Sequence, residues 1–212
     1  MPIINYILLV IAYLLGSIPT SVWIGKAFYH TDIREHGSRN AGANNTFRVL
    51  GAKAGIPVLI IDVLKGFMAV KLILLNQYFE TGTLYYDIYM LSLGFLAVIG
   101  HILPLFARFN GGKGVATMLG ITLAFQLYPA LAALAIFAVI VMVFKYVSLG
   151  SIIASITFPI MALFVFRIES YAFAVYSVAL ALTIVLTHLR NIERLINGEE
   201  SRIHINGVSK KG

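Results

Sequence analysis

Long apolar runs dominate this chain and constrain its fold more than any other feature. A helix needs about 20 mostly apolar residues to cross a bilayer. Five uncharged runs approach or exceed that length: residues 1–25, 88–106, 114–144, 146–166 and 170–189. A sixth run, 55–75, is apolar apart from Asp62, Lys65 and Lys71. The sequence therefore predicts an all-α integral membrane protein.

The composition excludes the other common classes. Apolar residues make up 59% of the chain and charged residues 12%, against about 45–50% and about 25% in soluble domains. Neither a soluble globule nor a disordered chain fits these values. The first run is too long for a signal peptide and no basic residue precedes it. Without cysteine there are no disulfides or thiolate metal sites, and the sequence predicts no metal site and no cofactor.

Basic residues predict how the chain is oriented. The net charge is +7, and cytoplasmic loops of membrane proteins are enriched in Lys and Arg. Residues 114–144 are long for one span and short for two. If they form two short helices broken at Pro129, with the amino terminus outside, thirteen of the 16 Lys and Arg residues lie inside and only Arg167 lies outside. If residues 114–144 crossed only once, most of the basic residues after them would lie outside. The enrichment of Lys and Arg in cytoplasmic loops therefore accounts for the positive net charge, and no nucleic-acid partner is needed to explain it.

The sequence thus predicts one membrane domain, residues 1–212, with seven transmembrane helices. Its amino terminus is outside, its carboxyl terminus is cytoplasmic and the two central helices are short. A re-entrant helix pair would give the same sidedness. Residues 199–212 are predicted to be a short polar tail in the cytoplasm.

Three polar segments fall on the predicted cytoplasmic face: residues 37–51, 100–117 and 188–200. In the first, Ser38, Asn40 and Asn45 offer hydrogen bonds, and Arg48 offers a planar fork suited to phosphate or carboxylate. These groups suit an anion. The alternative is a loop whose Ser and Asn side chains cap helices.

The second segment places a glycine-rich turn, Gly111-Gly112-Lys113-Gly114, before an apolar helix. Free N–H groups and the positive end of the helix dipole make such a turn an anion site. It is not a nucleotide P-loop, because Ala107 replaces the first glycine and Gly114 follows the lysine. The alternative is a flexible hairpin in which Lys113 only anchors the topology.

Two histidines and an ion pair remain. His188 and Asn191 share a helix face by their spacing, and histidine is easily tuned as an acid or base near neutral pH; alternatively, His188 only anchors the helix at the interface. His101, three residues before Pro104, is predicted to be structural. Asp62 and Lys65 are spaced to pair with each other inside a span, where buried charges are costly.

The three segments together resemble the bacterial acyl-phosphate:glycerol-3-phosphate acyltransferases, the PlsY family. The matching patterns are GS-x-N-x-GA-x-N-x-x-R, then GH-x-x-P-x-F with GGKGVAT, then H-x-x-NI-x-RL-x-x-G. Ser-Leu-Gly-Ser at residues 148–151 also resembles the family's pattern. The resemblance covers nearly the whole chain.

The resemblance implies an activity and a location. The family transfers a fatty acyl group from acyl phosphate to glycerol 3-phosphate, giving 1-acyl-glycerol 3-phosphate and phosphate, in the first acylation of phospholipid synthesis. It implies a multi-pass protein of the bacterial inner membrane with its active site on the cytoplasmic face, among membrane lipid. An enzyme that makes acyl phosphate would precede it, and a second acyltransferase would follow.

The resemblance also implies site residues. Those expected in catalysis are Ser38, Arg48, Lys113, His188 and Asn191. Those expected to bind substrate are Asn40, Asn45, Gly111, Gly112, Gly114, Thr117, Ser148 and Ser151, with Glu193 and His101 in structural support. The base is either His188 or a substrate phosphate. A transporter for a phosphorylated metabolite is the second hypothesis, and a small structural membrane subunit is the third.

Overall fold

A computed structural model describes residues 1–203, and all regular structure in this range is helical. The predicted all-α class is thereby confirmed. Within residues 1–203, ten α-helices follow one another: α1 Ile3–Gly16, α2 Thr20–Tyr29, α3 Ala43–Leu50, α4 Ala52–Lys71, α5 Leu84–Ile102, α6 Val115–Phe125, α7 Leu127–Phe144, α8 Val147–Ile160, α9 Tyr171–Thr187 and α10 Leu189–Ile196. Short 3₁₀ turns lie at Ile33–Glu35, Leu72–Leu75 and Leu105–Ala107, and a π turn lies at Met161–Val165.

The chain divides into two compact units. Unit 1 comprises Met1–Leu127 with Ser170–Phe173, and unit 2 comprises Tyr128–Glu169 with the described residues from Ala174 onward. The single domain expected from the sequence stays a prediction.

Several helices have the length and composition to cross a membrane. Among residues 1–203, three qualify alone: Leu84–Ala107, Leu127–Phe144 and Val147–Val165. Two bent pairs, α1 with α2 at 44° and α9 with α10 at 59°, raise the number to five if each pair is one span. Helix α6 is apolar but only 11 residues long. The seven-span count and the orientation of the termini stay predictions.

The break between α6 and α7 differs from the predicted one. Helix α6 ends at Phe125, the backbone of Gln126 after it is extended, and Pro129 lies in the first turn of α7. A proline is tolerated there because the N–H groups of a first turn have no partner within the helix. The prediction of two short helices was thus wrong in part, since α7 has 18 residues.

The first apolar run also forms two helices instead of one. Helix α1 ends at Gly16 and α2 begins at Thr20. Pro19 lacks an N–H group and disfavours helical backbone at the residue before it, Ile18. The break frees backbone groups from helical hydrogen bonds inside unit 1. One of them, the carbonyl oxygen of Ile18, accepts a hydrogen bond from Lys65.

Small residues allow the helices of unit 1 to approach closely. A Cβ atom on Gly66 of α4 would clash with the carbonyl oxygen of Thr117 in α6, and one on Gly120 would clash with that of Val63. Interfaces between membrane helices commonly use small residues in this way. Helix α4 therefore holds α6 firmly. An apolar cluster packs α1 and α4 onto α5: Leu8, Ala12, Ala69, Ile73, Tyr89, Leu93 and Ala97.

Candidate active site

The loop that precedes the first polar segment is held by Asp32. Its carboxylate accepts hydrogen bonds from the backbone N–H and side chain of Arg34, and it forms an ion pair with Lys26 at 3.1 Å. The hydrogen bond from Arg34, with help from Lys26, holds the pKa of Asp32 well below its usual value. Arg34 also donates to the carbonyl oxygen of Ala107 at 3.0 Å. The start of the first segment is thereby tied to the second.

The side chain of Asn45 holds the backbone of the first polar segment in place. It is buried, and its amide nitrogen donates to the carbonyl oxygens of Ile33 and His36, both at 3.0 Å. Its side-chain oxygen accepts the backbone N–H of Ser38 at 2.9 Å. Because these two carbonyls take both amide hydrogens, Asn45 orders the loop instead of donating to an anion.

Ser38 and Arg48 themselves remain exposed on unit 1. Arg48 lies in the last turn of α3, and Asn40, between them in sequence, is partly buried. Ser38 and Arg48 are thus accessible at the surface of the unit, and their predicted contacts with a ligand stay predictions.

The glycine-rich turn leads directly into α6. Gly114 is the N-cap, with φ of 87°, a left-handed conformation that glycine adopts without strain. Since glycine has no side chain, the first-turn N–H groups of α6 are not capped by their N-cap residue. Lys113 is partly buried beside them. The turn thus has the N–H groups, helix dipole and adjacent cation of an anion site.

Backbone contacts join the first two segments within unit 1. The N–H of Ala41 lies 3.4 Å from the carbonyl oxygen of Gly111, and the N–H of Gly112 donates to the carbonyl oxygen of His101 at 3.1 Å. The structure therefore brings together the two segments that the sequence assigned to anion binding.

Thr117 lies deeper than the sequence suggested. Its side chain is fully enclosed one turn into α6, and its backbone packs against Gly66. It therefore belongs to the α4–α6 contact and is not open on the surface of the turn.

In unit 2, His188 occupies the bend between α9 and α10. It is buried, and its Nδ1 lies 2.8 Å from the carbonyl oxygen of Ile184. A carbonyl can only accept a hydrogen bond, so Nδ1 carries the proton. In the neutral ring Nε2 is then the basic nitrogen, as a general base requires.

Glu200, which the sequence did not indicate, joins three polar side chains of unit 2. Its Oε1 accepts hydrogen bonds from Ser148 and from Asn191, both at 2.8 Å, and its Oε2 accepts one from Arg194 at 2.7 Å. The side chain is almost fully buried. Burial raises the pKa of Glu200, but these three hydrogen bonds outweigh it and leave the pKa below its usual value.

We call Glu200 with its three donors the Glu200 clamp. Glu193, predicted to give structural support, is exposed, and that role stays a prediction. The start of the predicted solvated tail is docked, because the N–H of Ile203 donates to the carbonyl oxygen of Lys145 at 2.8 Å. Residues 204–212 lie outside the described residues. An acidic pair after Gly198 in an otherwise basic tail was the available signal.

The two predicted serines of α8 are both buried. Ser148 donates to Glu200, and Ser151 donates to the carbonyl oxygen of Val147, one turn back in its own helix, at 2.9 Å. Both hydroxyl groups therefore donate hydrogen bonds to other groups of unit 2.

We expect the Glu200 clamp to make stability depend on pH. A carboxyl whose pKa is lowered on folding contributes stability above its unfolded pKa, near 4.5, and loses it as the pH falls through the folded pKa. Glu200→Gln should lower the free energy of unfolding at neutral pH by about 1–3 kcal/mol and flatten its acid dependence. Thermal unfolding of the purified protein between neutral and acid pH measures both. Glu193→Gln is the matched control, and equal effects of the two changes would contradict the assignment.

Among residues 1–203, no group of three or more His, Asp or Glu side chains could hold a metal ion. The described part of the chain has a glycine-rich turn at a helix amino terminus, a histidine with a defined tautomer and apolar helices of membrane-spanning length. These features are those of an integral membrane protein with polar segments outside its apolar helices.

Comparisons with known proteins define the family. A family profile described as glycerol-3-phosphate acyltransferase matches residues 6–198. A glycerol-3-phosphate acyltransferase of Fusobacterium nucleatum is 44% identical over 194 residues, covering 92% of this chain and 95% of that protein. One of Listeria monocytogenes is 45% identical over 201 residues, covering 94% and 98%. The chain belongs to the glycerol-3-phosphate acyltransferase family.

Solved structures agree with this membership. A crystal structure of PlsY (YgiH), an integral membrane glycerol 3-phosphate acyltransferase, in its glycerol 3-phosphate form, superposes with a TM-score of 0.84 at 35% identity. The superposition covers 94% of this chain and 96% of the PlsY chain. The lysophosphatidic acid form gives a TM-score of 0.81 at 34% identity, covering 94% and 95%. The protein is thus an integral membrane member of the PlsY type.

Proposed function

We propose that this protein transfers a fatty acyl group from acyl phosphate to the sn-1 hydroxyl of glycerol 3-phosphate. The hydroxyl oxygen bonds to the acyl carbon, the bond from that carbon to the phosphate oxygen breaks, and the hydroxyl proton passes to a base. The products are 1-acyl-glycerol 3-phosphate, a lysophosphatidic acid, and inorganic phosphate. An acyl phosphate is a mixed anhydride and already activated, so the transfer needs no protein nucleophile.

The contact between the first two segments carries this proposal. It joins the exposed loop of Ser38 and Arg48 to the glycine turn at the amino terminus of α6. Both substrates carry phosphate, and the reaction needs two like-charged groups held in place. Lys113 and Arg48 supply positive charge, and Gly114 leaves the first-turn N–H groups of α6 without a side-chain cap. Gly111 and Gly112 are proposed to let the backbone turn close to the phosphate. Ser38 and Asn40 are proposed as further hydrogen-bond donors.

For the proton, we propose His188 as the base. Its Nδ1 contact with Ile184 supports this role, because it assigns the lone pair to Nε2. A substrate phosphate, whose second pKa is about 6, is the alternative acceptor. Asn191 is proposed to act beside His188, with its side chain oriented by Glu200.

The location proposed for the reaction is the cytoplasmic face of the bacterial inner membrane. The distribution of Lys and Arg supports this orientation. The acyl chain would lie among the apolar helices while the phosphates face water. An enzyme that forms acyl phosphate must then supply the donor, and a second acyltransferase would consume the product.

Turnover by the purified protein tests the proposal. With palmitoyl phosphate and glycerol 3-phosphate, we expect release of phosphate and formation of an equal amount of lysophosphatidic acid acylated at sn-1. Palmitoyl-CoA and palmitoyl–acyl carrier protein, supplied separately, should not replace the donor. Turnover with either of these instead would overturn the proposed donor. Uptake of glycerol 3-phosphate into vesicles without acyl transfer would favour a transporter.

A further inference from the structure

The core of unit 1 contains a buried ion pair within helix α4. Asp62 and Lys65 of α4 lie 2.8 Å apart, with side-chain exposures of 2% and 4%. Burying two charges costs solvation energy that their attraction only partly offsets, so such pairs add little stability. Helix α4 is predicted from its sequence to be a span, and ionisable residues inside a span more often mark a functional arrangement.

Polar contacts hold the Asp62 carboxylate in one orientation. Its Oδ1 accepts a hydrogen bond from the Thr20 hydroxyl at 3.1 Å in addition to the contact with Lys65. Lys65 also donates to the carbonyl oxygen of Ile18 at 3.0 Å, at the break between α1 and α2. The carboxylate is therefore held by one side chain of α2 and one of α4, and Lys65 in turn contacts the break between α1 and α2.

His101 of α5 lies between this carboxylate and the glycine turn. Its Nδ1 is 3.8 Å from Asp62 Oδ1, too far for a hydrogen bond but within range of electrostatic attraction. Among the described residues Nδ1 has no hydrogen-bond partner, although it is buried. An unsatisfied buried nitrogen that faces a carboxylate indicates a ring oriented by that carboxylate.

The other side of the same ring touches the turn. A Cβ atom on Gly112 would clash with His101 Nε2, so the glycine backbone lies directly against the imidazole. The N–H of Gly112 donates to the carbonyl oxygen of His101. Any change in the position of the ring would therefore move the backbone next to Lys113.

From these contacts we propose that Asp62 and His101 are positioning residues for glycerol 3-phosphate. Asp62 orients the imidazole, and the imidazole sets the position of the Gly112–Lys113 backbone that holds the substrate's phosphate. This inference rests on the proposed role of the turn in binding that phosphate. It assigns a use to the ion pair that stability does not explain.

The experiment measures substrate binding and steady-state kinetics on the full chain. His101→Ala should raise the KM for glycerol 3-phosphate by about 10- to 100-fold, the effect of a small misplacement of binding groups. The KM for palmitoyl phosphate should change far less. His101→Gln, which keeps a polar side chain beside Gly112, should recover part of the loss. Asp62→Asn should act in the same direction, and its combination with His101→Gln should cost less than the product of the two.

Two further variants distinguish an effect on substrate binding from a loss of folding. Thr20→Val removes one contact to Asp62 and keeps the ion pair, so a smaller shift of the same kind is expected even if Asp62→Asn does not fold. Tyr89→Phe, on the same helix as His101, removes the buried hydrogen bond to the Asn5 carbonyl. It should lower the thermal midpoint without changing the KM for glycerol 3-phosphate.

Direct binding of radiolabelled glycerol 3-phosphate, without any acyl donor, separates this inference from the proposed function. Weaker binding by the His101 and Thr20 variants than by Tyr89→Phe would support the inference. Binding equal to that of the wild type would overturn it and leave the acyl transfer intact. A wild-type protein that does not bind glycerol 3-phosphate would overturn both.

Discussion

Lys113→Ala is expected to reduce kcat/KM for glycerol 3-phosphate by about 10²- to 10³-fold, the usual effect of removing one preorganised charge-stabilising group. Lys113 stands next to the open amino terminus of α6, where Gly114 as N-cap provides no side chain. Its ammonium group is proposed to add a charge-assisted hydrogen bond to the phosphate. Phosphate release, measured while each substrate is varied in turn, checks this expectation.

Lys53→Ala is the matched control for Lys113. It removes the same charge from an exposed site on the same predicted side of the membrane. Its kinetic constants should stay close to those of the wild type. Near-wild-type constants in Lys113→Ala itself would show that the turn does not depend on this lysine.

His188→Ala is expected to lower kcat by about 10²- to 10⁴-fold, the range found for general bases. Protonation removes the Nε2 lone pair, so the wild-type rate should fall as the pH falls. The variant should lose this acid limb of the pH–rate profile. Initial rates from acid to mildly alkaline pH, at saturating substrate, measure both effects.

His30→Ala is the control for His188, because His30 is exposed and lies outside the three polar segments. Its profile should match that of the wild type. If His188→Ala instead keeps the wild-type pH profile and rate, a substrate phosphate is the better assignment for the base.

The sequence predicted the helices well where one physical effect dominates. Long apolar runs allow little other than membrane helices, because backbone polar groups must be satisfied within each segment. It failed at Pro129, since proline breaks a helix interior but fits a first turn. Which case applies is decided by the end of α6 at Phe125 and the extended backbone of Gln126, which the sequence pattern did not indicate.

The candidate site shows the same division. Gly111, Gly112 and Lys113 could be recognised because a glycine turn before an apolar helix has a local physical meaning. Asn45 was predicted to bind substrate, whereas its side chain bonds the loop backbone, and these bonds depend on how the loop folds. Glu200 was missed because Ser148, one of its partners, lies 52 residues away along the chain. Sequence spacing gives no measure of such a contact.

The position of Glu200 along the chain also sets an order of events during synthesis. Translation proceeds from the amino terminus, so α7, α8, α9 and α10 are all made before Glu200 emerges. A chain that ended just after α10 would contain every described helix but no Glu200 carboxylate for Ser148 and Asn191 to contact. The hydrogen bonds of Ser148 and Asn191 to Glu200 can therefore form only after the described helices have been made.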